Sequence, residues 1–208
     1  MDYRVLTVSR EFGSGGGRIA QSIARRLNWK LLDAALIDEI ACAAHVDAGV
    51  VSRFDEHVDG WLRRLNRQAM RGAAMAAGVA LQQEKCFDED VMTDLTRQII
   101  EHAYEAGNCV IVGRGAQCIL QTKSDVFHAF VYAPLRVRIQ RLRARLEPGA
   151  DAEQRIRDVD AERVHYLKLR FGKEWNNPHL YDLMISSGED EERTARVIEY
   201  AMWKASAL

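Results

Sequence analysis

Four of the five residues Gly13-Ser14-Gly15-Gly16-Gly17 are glycine, and that spacing carries the clearest chemistry in the chain. Backbone N–H groups in such a loop converge on one concavity, and a helix start behind it adds a partial positive charge. Side chains would block that approach, and glycine also tolerates positive φ without strain. The ligand that fits is phosphate. The loop departs from the Walker A pattern, which is a glycine, four residues, then Gly-Lys-Ser/Thr. Taking Gly17-Arg18 as the Gly-Lys pair puts Phe12 where the first glycine belongs. Arg18 is then the cation offered to the phosphates, and Ser14 is the nearest hydroxyl for a magnesium ion. A dinucleotide-binding fingerprint fits less well, because the third glycine is missing and Asp33 comes too soon to read a ribose.

Arg114 is a second candidate. It follows the apolar run Val110-Ile111-Val112 and Gly113, and open α/β sheets bind ligands beyond the carboxyl ends of their strands. A guanidinium takes two phosphate oxygens at once. Arg136, Arg138, Arg141, Arg143 and Arg145 form a dense basic segment. Such runs are usually solvated helix faces paired with acids, but some members, with Arg138 and Arg141 foremost, could clamp a phosphoryl group in flight. Asp33 closes a strand-like segment and is also a good N-cap for a following helix. His128, His165 and His179 stand apart and are given no chemistry. Trp175 and Tyr166 are expected to anchor helices against the core rather than to stack a base.

The elements that must carry these groups read as α/β. Arg4–Ser9 is short and β-branched, and Ile19, Ile23 and Leu27 recur at helical spacing after the glycine loop. Strand, glycine loop and helix open a parallel sheet. Lys30–Asp33 reads as a second strand and Ala35–Ala44 as a helix. From Val50 to Gly107 the pattern is helical, broken at Gly72 and Gly78. Asn108–Gly113 reads as a central parallel strand, and Val126–Ala133 as another, stopped by Pro134. Arg136–Leu146 and Asp151–Phe171 read as polar helices, Tyr181–Ser186 as a last strand, and Glu191–Lys204 as a closing helix.

The chain has 208 residues and a formal net charge of −1, which suits one domain and offers no bulk attraction to nucleic acid or to an anionic membrane. It opens without a basic segment and apolar core of the secretory kind, and no apolar run approaches the ~20 residues of a membrane span. Cys42, Cys86, Cys109 and Cys118 form no C-x-x-C pair. They are expected to be reduced thiols in a cytoplasmic protein.

Several stretches together resemble the cytidylate kinase-like family. Ser9-Arg10-Glu11-Phe12-Gly13-Ser14-Gly15-Gly16-Gly17 is similar to that family's glycine loop, and Leu32-Asp33 followed by Leu36-Ile37 to its second motif. Val110–Ala116 resembles its third-strand signature, and Phe171–Trp175 through Pro178 with Tyr181–Ile185 its C-terminal block. The resemblance implies a P-loop NTPase-type parallel five-stranded sheet flanked by helices, forming a single domain over residues 1–208. A core of 1–49 and 107–208 would carry a helical acceptor-binding insert at about 50–106 and a lid at about 136–170. It also implies ATP with Mg2+ as donor and a nucleoside monophosphate, CMP among them, as acceptor. Asp33, Arg114 and Asp160 would then hold the acceptor. Asp160 and Arg163 resemble the lid's Asp/Arg pattern, which makes Arg163 the first choice for a closing arginine.

Phosphoryl transfer needs no side-chain nucleophile, so the lack of a Ser/His/Asp set is no objection. Two other readings stand beside it. The missing lysine fits a module that binds a nucleotide or phosphate with weak or no turnover, and the same scaffold could serve a kinase for another small metabolite. The partners expected are small-molecule nucleotides; the oligomeric state is open, a homodimer included.

Overall fold

A computed structural model describes residues 3–37, 89–147, 149–188 and 190–206. The chain divides into two compact units, Met1–Ala34 with Tyr104–Leu208, and Ala35–Ala103. Most of the expected helices between Ala35 and Gly107, with Gly72, Gly78, Cys42 and Cys86, lie outside the described residues. So does most of the expected insert.

The described elements are β1 (Val5–Arg10), α1 (Gly16–Leu27), β2 (Lys30–Leu32), α2 (Glu89–Ala106), β3 (Cys109–Val112) and α3 (Ala116–Ile119). After them come β4 (Val126–Tyr132), α4 (Leu135–Arg143), α5 (Ala152–Phe171), a 3-10 turn at Pro178–Leu180, β5 (Leu183–Ser186) and α6 (Glu191–Ser206). The five strands form one sheet in the order β2-β3-β1-β4-β5, and every pairing is parallel. β1 therefore sits in the middle, with Val8 opposite Val112 of β3 on one side and Ala129 of β4 on the other.

Alternation along the strands explains the layers, since successive side chains point to opposite faces. Leu6 and Val8 of β1, Val110 and Val112 of β3 and Phe127, Ala129 and Val131 of β4 pack with Ile19, Ile23 and Ala24 of α1 and Ile198 of α6. Phe130, pointing the other way, packs with Leu167 of α5, Trp175 and Leu180. Trp175 thus anchors the core as expected, its ring edge-to-face with Phe130 at 5.3 Å. On that same face the Thr7 hydroxyl and His128 Nδ1 are 2.7 Å apart. α5 starts where Asp151 accepts hydrogen bonds from the N–H groups of Glu153 and Gln154, both at 3.0 Å. It stops at Gly172, whose φ of 65° is left-handed.

A parallel sheet brings all its strand ends to one edge. Arg10 ends β1, Leu32 ends β2, and Gly113-Arg114 follows β3. Those residues, with the glycine loop, are the ones placed to meet a common ligand.

Candidate active site

The loop after β1 is held by its own polar groups. Glu11 N–H donates to Val131 O at 3.0 Å, and the Glu11 carboxylate accepts from Ala133 N–H at 3.0 Å, tying the loop to the end of β4. The Ser14 hydroxyl donates back to Glu11 O at 2.8 Å. Gly13 and Gly15 have φ of 80° and 83°. Gly15 is the N-cap of α1, whose first turn carries no acidic residue and no side-chain cap. Helix starts leave N–H groups without intrahelical partners; here the Gly16 N–H donates to Ser14 Oγ at 3.4 Å and the Glu191 carboxylate lies against Gly15.

The basic segment does two jobs. Arg138 lies behind the loop, 11% exposed in its side chain; it donates to Phe12 O at 3.3 Å and pairs with Asp160 at 2.5 Å. Asp160 also accepts from Phe12 N–H at 2.8 Å and stands 3.5 Å from Arg163. Asp160 and Arg138 therefore join α4 and α5 to the loop, and neither lines a cleft. Asp160, expected at the acceptor, and Arg138, expected to clamp the phosphoryl group, are both found in contact with the loop. Arg141 donates to Ser14 O at 2.9 Å, Ser187 Oγ at 3.0 Å and Gly188 O at 2.8 Å, which stitches the loop to the turn before α6 while leaving it on a cleft wall.

Two clefts open at this edge. The first, about 360 Å3, is lined by Gly13, Gly15, Gly16, Gly17 and Arg18 together with Asp33, Arg141 and Arg145. The second, about 320 Å3, is lined by Gly113, Arg114, Gln117, Glu162, Tyr166 and Trp175. Arg10 and Arg163 line both. Arg163 donates to Arg10 O at 2.7 Å and lies 5.6 Å over the Phe12 ring. Burial pushes its guanidinium below the ordinary arginine value, partly offset by Asp160.

Arg114 has a left-handed φ of 52° between Gly113 at 80° and Gly115 at 71°. A non-glycine there is uncommon and marks a special turn. Gln117, 1% exposed on the same wall, has no hydrogen-bond acceptor for Nε2 among the described residues.

Three expectations are shifted by the geometry. Asp33 lines the first cleft with the glycine loop, while Ala34 beside it lines the second with Arg114. Ser14 is fully buried and lines neither cleft; with its hydroxyl turned into the loop it is not presented to a metal. Of the two groups, Asp33 is the one that fits a magnesium ion entering on a nucleotide's phosphates, since Mg2+ needs only one or two carboxylates beside the phosphates. Arg18 lies on the first cleft but is held by Glu191, with Nε donating to Oε2 at 2.6 Å, a bond that raises its pKa.

Arg10 was missed as a site residue. A cation ending an otherwise apolar strand just before a glycine loop was the available signal.

A model of the cytidylate kinase-like family matches residues 5–189. A cytidylate kinase from Methanosarcina mazei is 28% identical over 128 residues, covering 60% of this chain and 68% of the relative. Among solved structures, an uncharacterized protein from Eubacterium ventriosum superposes with a TM-score of 0.68 at 23% identity, covering 98% of this chain and 99% of the other. A shikimate kinase from Acinetobacter baumannii in complex with shikimate reaches a TM-score of 0.50 at 15% identity, with 98% and 94% covered. The structural likeness bears out the expected fold class, a parallel five-stranded sheet of the P-loop kinase kind flanked by helices. Among the described residues no helix is long and apolar enough to cross a membrane.

Proposed function

The chain belongs to the cytidylate kinase-like family, and on that premise we propose that it transfers the γ-phosphoryl group of ATP to a nucleoside monophosphate, with CMP the first acceptor to try. The glycine loop and the first turn of α1 receive the donor phosphates. Arg114 receives the α-phosphate of the acceptor as a bidentate partner. The supporting observation is that the loop's cleft and the Arg114 cleft adjoin across a shared wall. Two phosphates held there meet end to end, which is the positioning this reaction requires.

In the second cleft the Gln117 amide and the Trp175 and Tyr166 rings give the acceptor polar and aromatic surfaces beyond its phosphate. Arg163 braces the end of β1 from α5 and closes the wall between the two ligands. Magnesium, when bound, neutralises phosphate charge, and Asp33 faces the cleft where it would enter.

A coupled ADP-release assay with ATP, Mg2+ and a panel of nucleoside monophosphates tests the reading. Turnover with one or more of them, stoichiometric with nucleoside diphosphate, supports it. ATP binding with no ADP release for any acceptor would favour a binding module. That second reading draws on the loop itself, in which no lysine follows the glycines and Arg18 is engaged by Glu191. ADP release only with another phosphorylated or hydroxylated metabolite would keep the kinase and change its acceptor.

A further inference from the structure

We propose that Arg10 is the residue that grips the phosphoryl group during transfer, in place of the lysine the glycine loop lacks. This deepens the phosphotransferase reading and rests on it. The side chain starts at the end of β1 and runs between two glycines. A Cβ on Gly16 would meet Arg10 Cβ, and a Cβ on Gly113 would run into the Arg10 guanidinium. Glycine in the first turn of α1 and glycine after β3 together clear a channel for this one side chain.

The guanidinium lies where the two clefts meet, on the wall of both. Its charge has little company of opposite sign. Among the described residues Arg10 makes no ion pair and no side-chain hydrogen bond, whereas Arg18, Arg138, Arg141 and Arg163 are each held by carboxylates or carbonyls. The charges acting on it are Arg163, Arg114 and Asp33. Burial first, then the two arginines, push its pKa down to about 9, and only Asp33 opposes them. It remains a cation at neutral pH. A desolvated cation that meets two arginines and one carboxylate among the described residues is a costly arrangement, and a polyphosphate entering the first cleft supplies further negative charge.

The transfer balances without a base. An acceptor phosphate oxygen bonds to the γ-phosphorus as the bond from that phosphorus to the bridging oxygen breaks, and the electron pair leaves on ADP. Charge spreads over the three oxygens in flight, and a guanidinium fork can take two of them. Arg18 cannot do this from its place with Glu191. Arg163 is committed to Arg10 O and to Asp160.

The test is Arg10→Met, with Arg10→Gln as a second neutral variant should methionine not fold, and Arg10→Lys as the conservative one. The neutral variants should lose about 10²–10³-fold in kcat, the scale for removing one preorganised contact to transition-state charge, with KM for the monophosphate changed less than threefold. Lysine should recover part of the loss. In calorimetric titrations a neutral variant should weaken ATP at least tenfold and ADP less than threefold. Thermal unfolding of Arg10→Met should be no lower than wild type, because the side chain removed is a desolvated cation with no ion pair among the described residues. A kcat within threefold of wild type would overturn the proposal, as would equal weakening of ATP and ADP. If the wild type turns over no monophosphate, the phosphotransferase reading fails, and the ATP-to-ADP comparison alone still decides whether Arg10 reads the γ-phosphate.

Discussion

Replacing Asp160 should loosen the glycine loop without touching either ligand. The carboxylate takes the Phe12 N–H at 2.8 Å, the Arg138 guanidinium at 2.5 Å, and stands 3.5 Å from Arg163. Its side chain is 17% exposed and that of Arg138 11%, so these are largely buried contacts. Breaking a buried pair by removing one partner costs about 3–5 kcal/mol. Here Glu11 remains 3.5 Å from Arg138 and some solvent reaches the pair, which lowers the expectation to about 2–3 kcal/mol for Asp160→Ala. Asp160→Asn keeps an acceptor for Phe12 N–H and loses only the charge, so it should cost about 1–2 kcal/mol. For a chain of this size 1 kcal/mol moves the unfolding midpoint by roughly 2–4 °C, giving about 4–12 °C for the alanine variant by scanning calorimetry. ATP affinity should fall with it, because the amides of the loop lose their brace. A midpoint within 2 °C of wild type, or a large loss of stability with ATP affinity intact, would refute the assignment of Asp160 as the loop's anchor.

Other outcomes follow from single contacts. Gly113→Ala combines a φ of 80° with a collision against Arg10, whereas Gly172→Ala has a φ of 65° in open space. Both should cost about 1–2 kcal/mol by denaturant titration, the price of a left-handed alanine, but only the first should also lower turnover more than tenfold. His128 is buried, and burial chiefly, against an opposing effect of Asp182, holds its pKa below the usual 6.5. Its neutral form is favoured in the folded state, so the stability it permits is present above pH 6.5 and lost as pH falls through that value toward the folded pKa. His128→Gln should therefore gain stability relative to wild type between pH 7.5 and 5.5, and a constant difference across that range would count against it. Burial pushes the Cys109 thiol up to about 12 and the Cys118 thiol up to about 11. Mass-resolved iodoacetamide labelling of native protein at pH 8 should find both far slower than in the unfolded chain.

Much of the frame was legible because it rests on local pattern. β1, β3 and β4 are apolar runs of strand length, α1 repeats its apolar residues at Ile19 and Ile23, and Asp151 and Gly172 punctuate α5 where capping chemistry requires. The place of Gly113-Arg114 was legible for the same reason, since it follows the end of a strand in a parallel sheet. Less was legible where one residue's surroundings depend on which distant residue faces it. Asp160 was read as an acceptor contact and Arg138 as a phosphoryl clamp, and the structure shows both in contact with the loop. Asp33 was assigned to the acceptor by resemblance alone, and the structure puts it at the end of β2, beside β3, on the wall of the first cleft. Ser14 offered a hydroxyl whose direction only the turn at Gly13 and Gly15 decides. Arg10 stood inside a quoted motif with no role, because an arginine ending a strand reads as a surface cation until Gly16 and Gly113 are seen to make room for it.

The division of donor and acceptor between the two clefts is tested most directly by titrating Arg114→Ala and Arg114→Lys with CMP and, separately, with ATP. The alanine variant should weaken the monophosphate by roughly 1.5–3 kcal/mol, the worth of a charge-assisted contact, and leave ATP affinity within twofold. Lysine should restore only part of the loss, because the charge returns without the paired geometry. Equal weakening of both ligands would put Arg114 in the donor site or in the fold itself, and unchanged affinity for both would remove the acceptor from that cleft.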